Sequence, residues 1–153
     1  MKIFEKDYAD YEKIRMAYDH ADNGEEKDAA GAEYEAWSDR ITARGQDYGR
    51  FFRSYMDAKN AGNRYIDLHD TISEEQADRL VASFREFGVE RFTFSSGWSS
   101  AVSIAWQFIQ DGCSLEGMVE INSQHTKFLS DEHEKIPAYL FKVGEGKKER
   151  GDR

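Results

Sequence analysis

The amino-acid sequence predicts an α+β fold with α/β-like character. An N-terminal helical hairpin precedes a β-α-β-α-β-β unit, which has a four-stranded mixed sheet and helices mainly on one face. Two observations predict this. Apolar residues recur at spacings of three and four over the first sixty residues, which is the period of a helix. Beyond residue 62, short period-two stretches alternate with helical ones, and the connections are long enough for parallel pairing with both helices on one side of the sheet.

The predicted organisation is a helical arm at 1–62, a β/α domain at 63–144 and a flexible polar tail at 145–153. In the arm, one apolar stripe runs from Phe4 to Tyr18 and ends before Asn23-Gly24. A second stripe runs from Tyr34 to Tyr55 with heptad spacing. Gly45 and Gly49 lie inside it and predict a kink or a close helix contact.

The β/α domain begins with a strand at 65–69. Ser73 opens a helix with a capping box, and Gly88 ends it. The next strand, at 89–95, directs Phe92 and Phe94 to the core. The helix after it ends at Gly112, and its predicted core side consists of Val102, Ala105, Trp106 and Ile109.

The third predicted strand has apolar or small residues in strict period two: Leu115, Gly117, Val119 and Ile121. We expect Val119 and Ile121 to share one buried layer with Phe92 and Phe94. A polar loop and Pro137 then precede a last strand over 138–143. The sequence does not determine the strand order.

Composition restricts the possible functions. A net charge of -9 disfavours direct binding to nucleic acid or to an anionic membrane, although it also serves solubility. Cys113 is the single cysteine, so an intramolecular disulfide and a cysteine metal cluster are excluded. The charged N-terminus lacks the apolar run of a signal peptide, which makes the cytoplasm the expected location.

The segment from Phe92 to Ser100 runs from a strand through a glycine turn into a helix. A helix N-terminus favours phosphate or carboxylate, and the carboxyl ends of parallel strands form the usual ligand crevice. The candidate ligand residues are Asp70, Ser95, Ser96, Ser99, Asn122 and His125. Serine at a helix start is more often a cap, and no nucleophile, phosphate-loop or dinucleotide motif is present.

We therefore expect no catalytic residue and no cofactor. His125 and His133 lie in an acidic segment, and Asp67, His69 and Glu120 lie on a polar strand face, yet neither set has the spacing of a known metal motif. Solvated or salt-bridged side chains are the commoner explanation for both sets. No metal site is predicted.

The acidic arm indicates a protein partner instead, because an acidic patch steers a basic partner. A solvated helix surface is the alternative explanation for these acids. A basic, nucleic-acid-binding protein is one such partner, and the chain itself is expected to be a monomer or a homodimer. The candidate partner residues are Asp19, Asp22, Glu25, Glu26, Glu33, Tyr34 and Trp37.

Roughly the last ninety residues resemble an uncharacterised family of small proteins from gut bacteria that are carried on mobile elements. The similar segments are YIDLHDTI (65–72), RFTFSS (91–96) and GCSLEGMVEIN (112–122). The resemblance implies a bacterial cytoplasmic protein and transfers no catalytic residue. The sequence thus favours a non-enzymatic binding or regulatory protein, such as an accessory or anti-defence factor. The alternative is an enzyme or sensor that binds a small anionic ligand at the Ser95–Ser100 turn.

Overall fold

The computed structural model describes residues 2–69 and 73–145. The chain forms two compact units, which we call unit 1 (residues 1–53) and unit 2 (residues 54–153). The division between them falls inside a helix. The described residues contain five helices and a four-stranded mixed sheet, which confirms the α+β fold. Asp70 and most of the predicted tail, residues 146–153, lie outside the described residues.

Unit 1 begins with two helices, α1 (Lys2–Asp19) and α2 (Gly24–Ala43). Asn23 caps α2, because its side chain accepts the Glu26 N–H at 2.9 Å. The two helices are joined at Trp37, whose indole N–H donates to the Asp7 carbonyl at 3.0 Å and whose ring lies 5.2 Å from that of Tyr11. This confirms the N-terminal helical pair.

The second predicted helix is two helices, since α2 ends before Gly45 and α3 covers Gln46–Ala61. Gly45 has φ +102°, a conformation that suits glycine and ends a helix, so the expected kink is a complete break. Arg44 Nε lies 2.9 Å from the buried Asp7 carboxylate, which also accepts the Tyr48 hydroxyl proton. Burial, and secondarily the Asp7 carboxylate, raises the pKa of Tyr48.

Unit 2 contains the end of α3 and every strand of the sheet. The strand order is β1-β2-β4-β3: β1 and β2 are parallel, and β4 is antiparallel to both β2 and β3. The elements are β1 (Ile66–Leu68), α4 (Glu74–Glu86), β2 (Arg91–Phe94), α5 (Ala101–Gln110), β3 (Ser114–Thr126) and β4 (His133–Lys142).

Aromatic rings between the helices and the sheet form the core of unit 2. The fully buried Phe92 ring lies 5.0 Å from Phe84 of α4, 5.0 Å from Phe108 of α5 and 5.4 Å from Phe141 of β4. Both helices therefore cover the same face of the sheet, as predicted. Rings of this size each remove roughly 150–250 Å² from water.

The predicted core side of α5 is wrong. Ile104 and Phe108 are 1% and 0% exposed, whereas Val102 and Trp106 are 79% and 61% exposed. Residues two apart on a helix point about 200° away from each other, so burying one pair exposes the other. The error arises because α5 has apolar residues on both sides.

The predicted shared layer on β3 is also wrong, because β3 contains a bulge. Leu115 pairs with Phe141 and Gly117 with Leu140, so Glu116 is an extra residue in the ladder. The bulge reverses the alternation. Val119 and Ile121 pair with Ala138 and Ile136, on the face opposite Phe92 and Phe94.

The polar loop between the last two strands is shorter than predicted. β3 continues to Thr126 and β4 begins at His133, which places Pro137 inside β4. The turn is closed by the Lys127 N–H, which donates to the Glu132 carbonyl at 2.8 Å. At the tip, Phe128 and Leu129 are each 91% exposed.

Across the described residues, none of the helices is both long and apolar enough to span a membrane.

Candidate functional site

A polar cleft of about 280 Å³ lies in unit 2, at the carboxyl ends of β1 and β2. The end of α3 and the distal part of β3 complete its lining. We call it the polar cleft, and its lining side chains include Asp57, Asn63, Asp67, His69, Ser95, Asn122 and His125. Ligand sites in open sheets lie at this kind of position, because the parallel strands end there together.

Asp67 organises the base of the polar cleft. It pairs with Thr93 across the parallel β1–β2 ladder, on the sheet face away from α4 and α5. Its carboxylate accepts hydrogen bonds from the Thr93 hydroxyl at 2.7 Å and from the Ser95 hydroxyl at 2.5 Å. The Ser95 proton is therefore directed to a carboxylate and is not available to stabilise an anion there.

Two histidines border the same cleft. His69 Nδ1 lies 3.8 Å from Asp67 Oδ2, and the His69 side chain is 62% exposed. His125 is exposed on the other side, on β3. The Asp67 carboxylate places a negative group in the cleft, so the cleft suits neutral or cationic polar groups better than phosphates.

An amide pair closes the cleft beside β3. Asn63 donates from Nδ2 to the Asn122 carbonyl and accepts the Asn122 N–H at Oδ1, with both distances 2.8 Å. The Asn122 side chain in turn donates to the Ala61 carbonyl at 2.7 Å. These three bonds fix the loop after α3 against the strand.

Half of the predicted ligand set reaches this cleft. Ser95, Asn122 and His125 line it, whereas Ser96 and Ser99 do not appear in its lining. Ser96 instead accepts the Trp98 N–H at 3.2 Å within the turn. Ser100 is the N-cap residue of α5 and its side chain makes no capping hydrogen bond within the described part of the chain.

Sequence reasoning missed three residues that shape the cleft: Asp57, Asn63 and Gln124. Gln124 donates to the Asp57 carbonyl at 3.1 Å, which links β3 to α3. The sequence around Asn63 indicates only the end of a helix, and no local pattern signals its bonds to a strand 59 residues away. In the parts of the chain that the structure describes, no group of three or more His, Cys, Asp or Glu residues is placed to hold a metal ion.

A second feature of unit 2 is an apolar surface on the helix side of the sheet. Trp98, Val102 and Trp106 recur every four residues and are 62%, 79% and 61% exposed. Leu115 and Met118 of β3 are also exposed, and they lie on the same side of the sheet as α5, because they share the face of Phe141 and Tyr139. We call the set the α5 apolar surface; it comprises Trp98, Val102, Trp106, Ile109, Leu115 and Met118.

Acidic side chains border the α5 apolar surface. On the α4 side, Glu74 accepts the Ser103 hydroxyl proton at 3.0 Å, and Asp78 accepts from Gln107 Nε2 at 2.8 Å. On the β3 side, Glu120 is exposed and shares the face of Met118. Helix α5 has no charged residue from Ala101 to Gln110, so its exposed side is apolar and its α4 margin is acidic.

The predicted partner residues of the arm are exposed in all cases but one. Trp37 is 6% exposed, which contradicts its assignment to a contact surface. Tyr34 is 47% exposed. The Glu26 carboxylate accepts the Asp22 N–H at 2.7 Å and so belongs to the cap of α2. The other acidic members are exposed: Asp19, Asp22, Glu25 and Glu33.

Unit 2 is thus an α+β domain with a polar cleft on one sheet face and an exposed apolar surface on the other. Residues 50–143 match the model of the DUF7698 family, a domain of unknown function. The chain belongs to this family, because the match covers more than half of its 153 residues. No curated protein and no solved structure matches the chain.

Proposed function

We propose that the protein acts by binding another protein, and that the α5 apolar surface is the contact. The carrying observation is the pair Trp98 and Trp106, each more than 60% exposed. Trp106 lies on α5, whose other side already fills the core, and Trp98 lies in the turn just before α5. Tryptophan is enriched at the energetic centres of protein interfaces, where it buries a large area with few rotatable bonds. Folding of unit 2 does not account for these two side chains, since Ile104 and Phe108 supply the buried side of α5.

The acidic margin supports a partner with basic residues around an apolar centre. Glu74, Asp78 and Glu120 would face lysine or arginine side chains, and the net charge of -9 would speed the encounter. The exposed acids of the arm, among them Glu25 and Glu33, add to this attraction. A second copy of the chain carries the same acids, so self-association through this surface would bring like charges together.

A nucleic-acid-binding protein is the class of basic partner that fits this chemistry. An acidic protein with an apolar anchor would compete with nucleic acid for such a partner, which is how an accessory or anti-defence inhibitor of a mobile element would act. This part of the proposal rests on charge and on the resemblance to proteins of mobile elements.

Selection from a random-peptide display library tests the proposal and requires no identified partner. We expect enriched peptides that combine Trp, Phe or Leu with Lys or Arg, and weaker retention as salt rises. The variant Trp98→Ser/Trp106→Ser should reduce their retention at least about tenfold, the effect of losing one hot-spot contact.

The matched control is Phe128→Ser/Leu129→Ser, which removes two equally apolar and even more exposed side chains at the β3–β4 turn. Retention by this control should equal that of the natural chain. Equal losses in both variants, enrichment of acidic peptides, or no enrichment at all would contradict the proposal.

A small polar ligand in the polar cleft is the second candidate function. It is favoured by the grouping of Ser95, Asn122 and His125 at the strand ends. Thermal-shift measurements with nucleotides, sugar phosphates, carboxylates, polyols and amines test it, because a ligand that binds the folded state raises the melting temperature. If none of these compounds stabilises the chain, this candidate loses its basis.

A further inference from the structure

β3 is an edge strand of the sheet. A side chain occupies the backbone groups of its outer edge at one residue, and the residues beside it can pair with an added strand. β3 pairs with β4 on one side, and no strand of the described residues pairs with its other side. Such an edge presents N–H and C=O groups that can pair with an added strand. Which residues present them follows from two observations.

The first observation is the Asn63–Asn122 pair. Asn63 receives the Asn122 N–H and donates to the Asn122 C=O, so both backbone groups of Asn122 point away from β4. The Asn63 side chain thereby takes the place of a neighbouring strand for one residue. It closes the edge at Asn122.

The second observation is the position of Pro137, which lies directly opposite Glu120 in the β3–β4 register. In an antiparallel ladder, residues that form a hydrogen-bonded pair exchange both N–H···O bonds. Proline has no N–H to contribute, so Glu120 and Pro137 form a non-hydrogen-bonded pair. The N–H and C=O of Glu120 therefore point outward, with the same two-residue phase as Asn122.

Met118, two residues before Glu120 and opposite Tyr139, also directs its N–H and C=O outward. The bulge at Glu116 interrupts this alternation. The open edge is thus Met118–Glu120, with two outward N–H and C=O pairs. Met118 is 65% exposed and Glu120 is also exposed, so solvent reaches this stretch. Their side chains lie on the helix side of the sheet, where Leu115 and Met118 belong to the α5 apolar surface.

We propose that the partner binds in an extended conformation, adding a short strand to β3 at Met118–Glu120 and placing alternate apolar side chains on the α5 apolar surface. This inference rests on the proposed function, because it specifies how the same surface is used. Main-chain bonds would provide register, and side chains of alternate residues would provide selectivity. Basic residues in the added segment would lie near Glu120, whose charge makes an added strand with lysine or arginine more favourable than an acidic one.

Amide hydrogen exchange measured by NMR tests the edge in the free chain first. We expect the amides of Met118 and Glu120 to exchange faster than those of Val119 and Ile121, which point toward β4. Equal protection at all four residues would overturn the assigned phase of the edge, whatever the partner is.

The second measurement adds a synthetic peptide in which lysine alternates with leucine or valine. Binding should slow exchange at Met118 and Glu120 by at least about tenfold. Two peptides are N-methylated at every second residue, one at the odd positions and one at the even positions. Methylation of the residues whose N–H groups face β3 should weaken binding, and methylation of the residues between them should leave it unchanged. In the variant Asn63→Ala, the protection should extend to Asn122, because its backbone groups are then open to the peptide.

The outcomes separate this inference from the proposed function. If the peptide binds, and Trp98→Ser/Trp106→Ser weakens it, but the Met118 and Glu120 amides stay unprotected, strand addition is wrong and the protein-binding surface stands. If N-methylation weakens binding equally in both peptides, strand addition is again wrong. If neither this peptide nor any display-selected peptide binds, both proposals fail.

Discussion

The exposed and buried sides of α5 lead to the sharpest prediction about this fold, because two β-branched aliphatic residues lie two positions apart on opposite sides. Ile104 is 1% exposed and Val102 is 79% exposed. Burial of an isoleucine side chain contributes about 1.5–3 kcal/mol, and the cavity left by truncation adds to the loss. We therefore expect Ile104→Ala to lower the free energy of unfolding by about 3 kcal/mol, within the range of roughly 2–5 kcal/mol for such changes.

Val102→Ala is the matched control, and it should change the free energy of unfolding by no more than about 0.5 kcal/mol. Urea denaturation followed by far-ultraviolet circular dichroism measures both variants. Since 1 kcal/mol shifts the melting temperature by roughly 2–4 °C in a chain of this size, Ile104→Ala should melt about 6–12 °C lower. Equal destabilisation by the two variants, or a larger effect of Val102→Ala, would refute the assignment of the two sides and with it the α5 apolar surface.

Three further predictions concern buried groups and a tight turn. Burial raises the pKa of Tyr48, so the protonated phenol contributes stability below pH about 10, and this contribution is lost as the pH rises further. When denaturation is measured at increasing alkaline pH, the free energy of unfolding should therefore decline less in Tyr48→Phe than in the natural chain. Burial raises the pKa of the Cys113 thiol to about 11 from its ordinary 9.0, which makes its thiolate about a hundredfold rarer; a thiol reagent at mildly alkaline pH should react far more slowly with the native chain than with the urea-unfolded chain, and equal rates would contradict the burial. Gly144 has φ +54°, and an added Cβ would lie 2.7 Å from the Gly112 carbonyl oxygen; Gly144→Ala should therefore cost about 1–3 kcal/mol by thermal denaturation, whereas Gly97→Ala, which meets open space, should change stability by less than about 0.5 kcal/mol.

The buried side of a helix could be predicted from the sequence where only one side is apolar. It could not be predicted where both sides are apolar. Helix α4 carries Leu80 and Phe84 against polar neighbours, so its period, its Ser73 cap and its buried side agree with the structure. Helix α5 is apolar nearly all round, and helical periodicity alone cannot choose between Ile104 with Phe108 and Val102 with Trp106. The choice depends on contacts with Phe92 and Phe141, which lie in other elements.

The β3 error has a different physical origin. Period two predicts which residues share a face only if every residue takes part in the ladder, and the extra residue Glu116 breaks that condition. Gly117, with φ +142°, is the local sign of the irregularity, since a glycine inside a strand often marks a bulge. The Arg91 side chain then pairs with Glu116 at 2.6 Å and lowers the pKa of that carboxyl group.

Part of the polar cleft could be predicted because parallel strands end together, which brings Ser95 into the lining. The chemical preference of the cleft could not, because it depends on the Asp67 carboxylate that accepts the Ser95 proton across the β1–β2 ladder. The serine-rich turn suggests an anion when it is considered alone. With Asp67 beneath it, the same turn favours a neutral or cationic group.

The placement of β4 has a consequence for how unit 2 is assembled during synthesis. β4 is the last strand of the sheet along the chain, yet it lies between β2 and β3, and Phe141 meets both Phe92 and Phe108. A nascent chain that has emerged only as far as β3 therefore contains the β1–β2 pair and the single strand β3, but lacks the strand that lies between them. Until β4 leaves the ribosome, Leu140 and Phe141 are missing from the middle of the sheet, so premature termination there would remove its centre and leave both flanks exposed to aggregation.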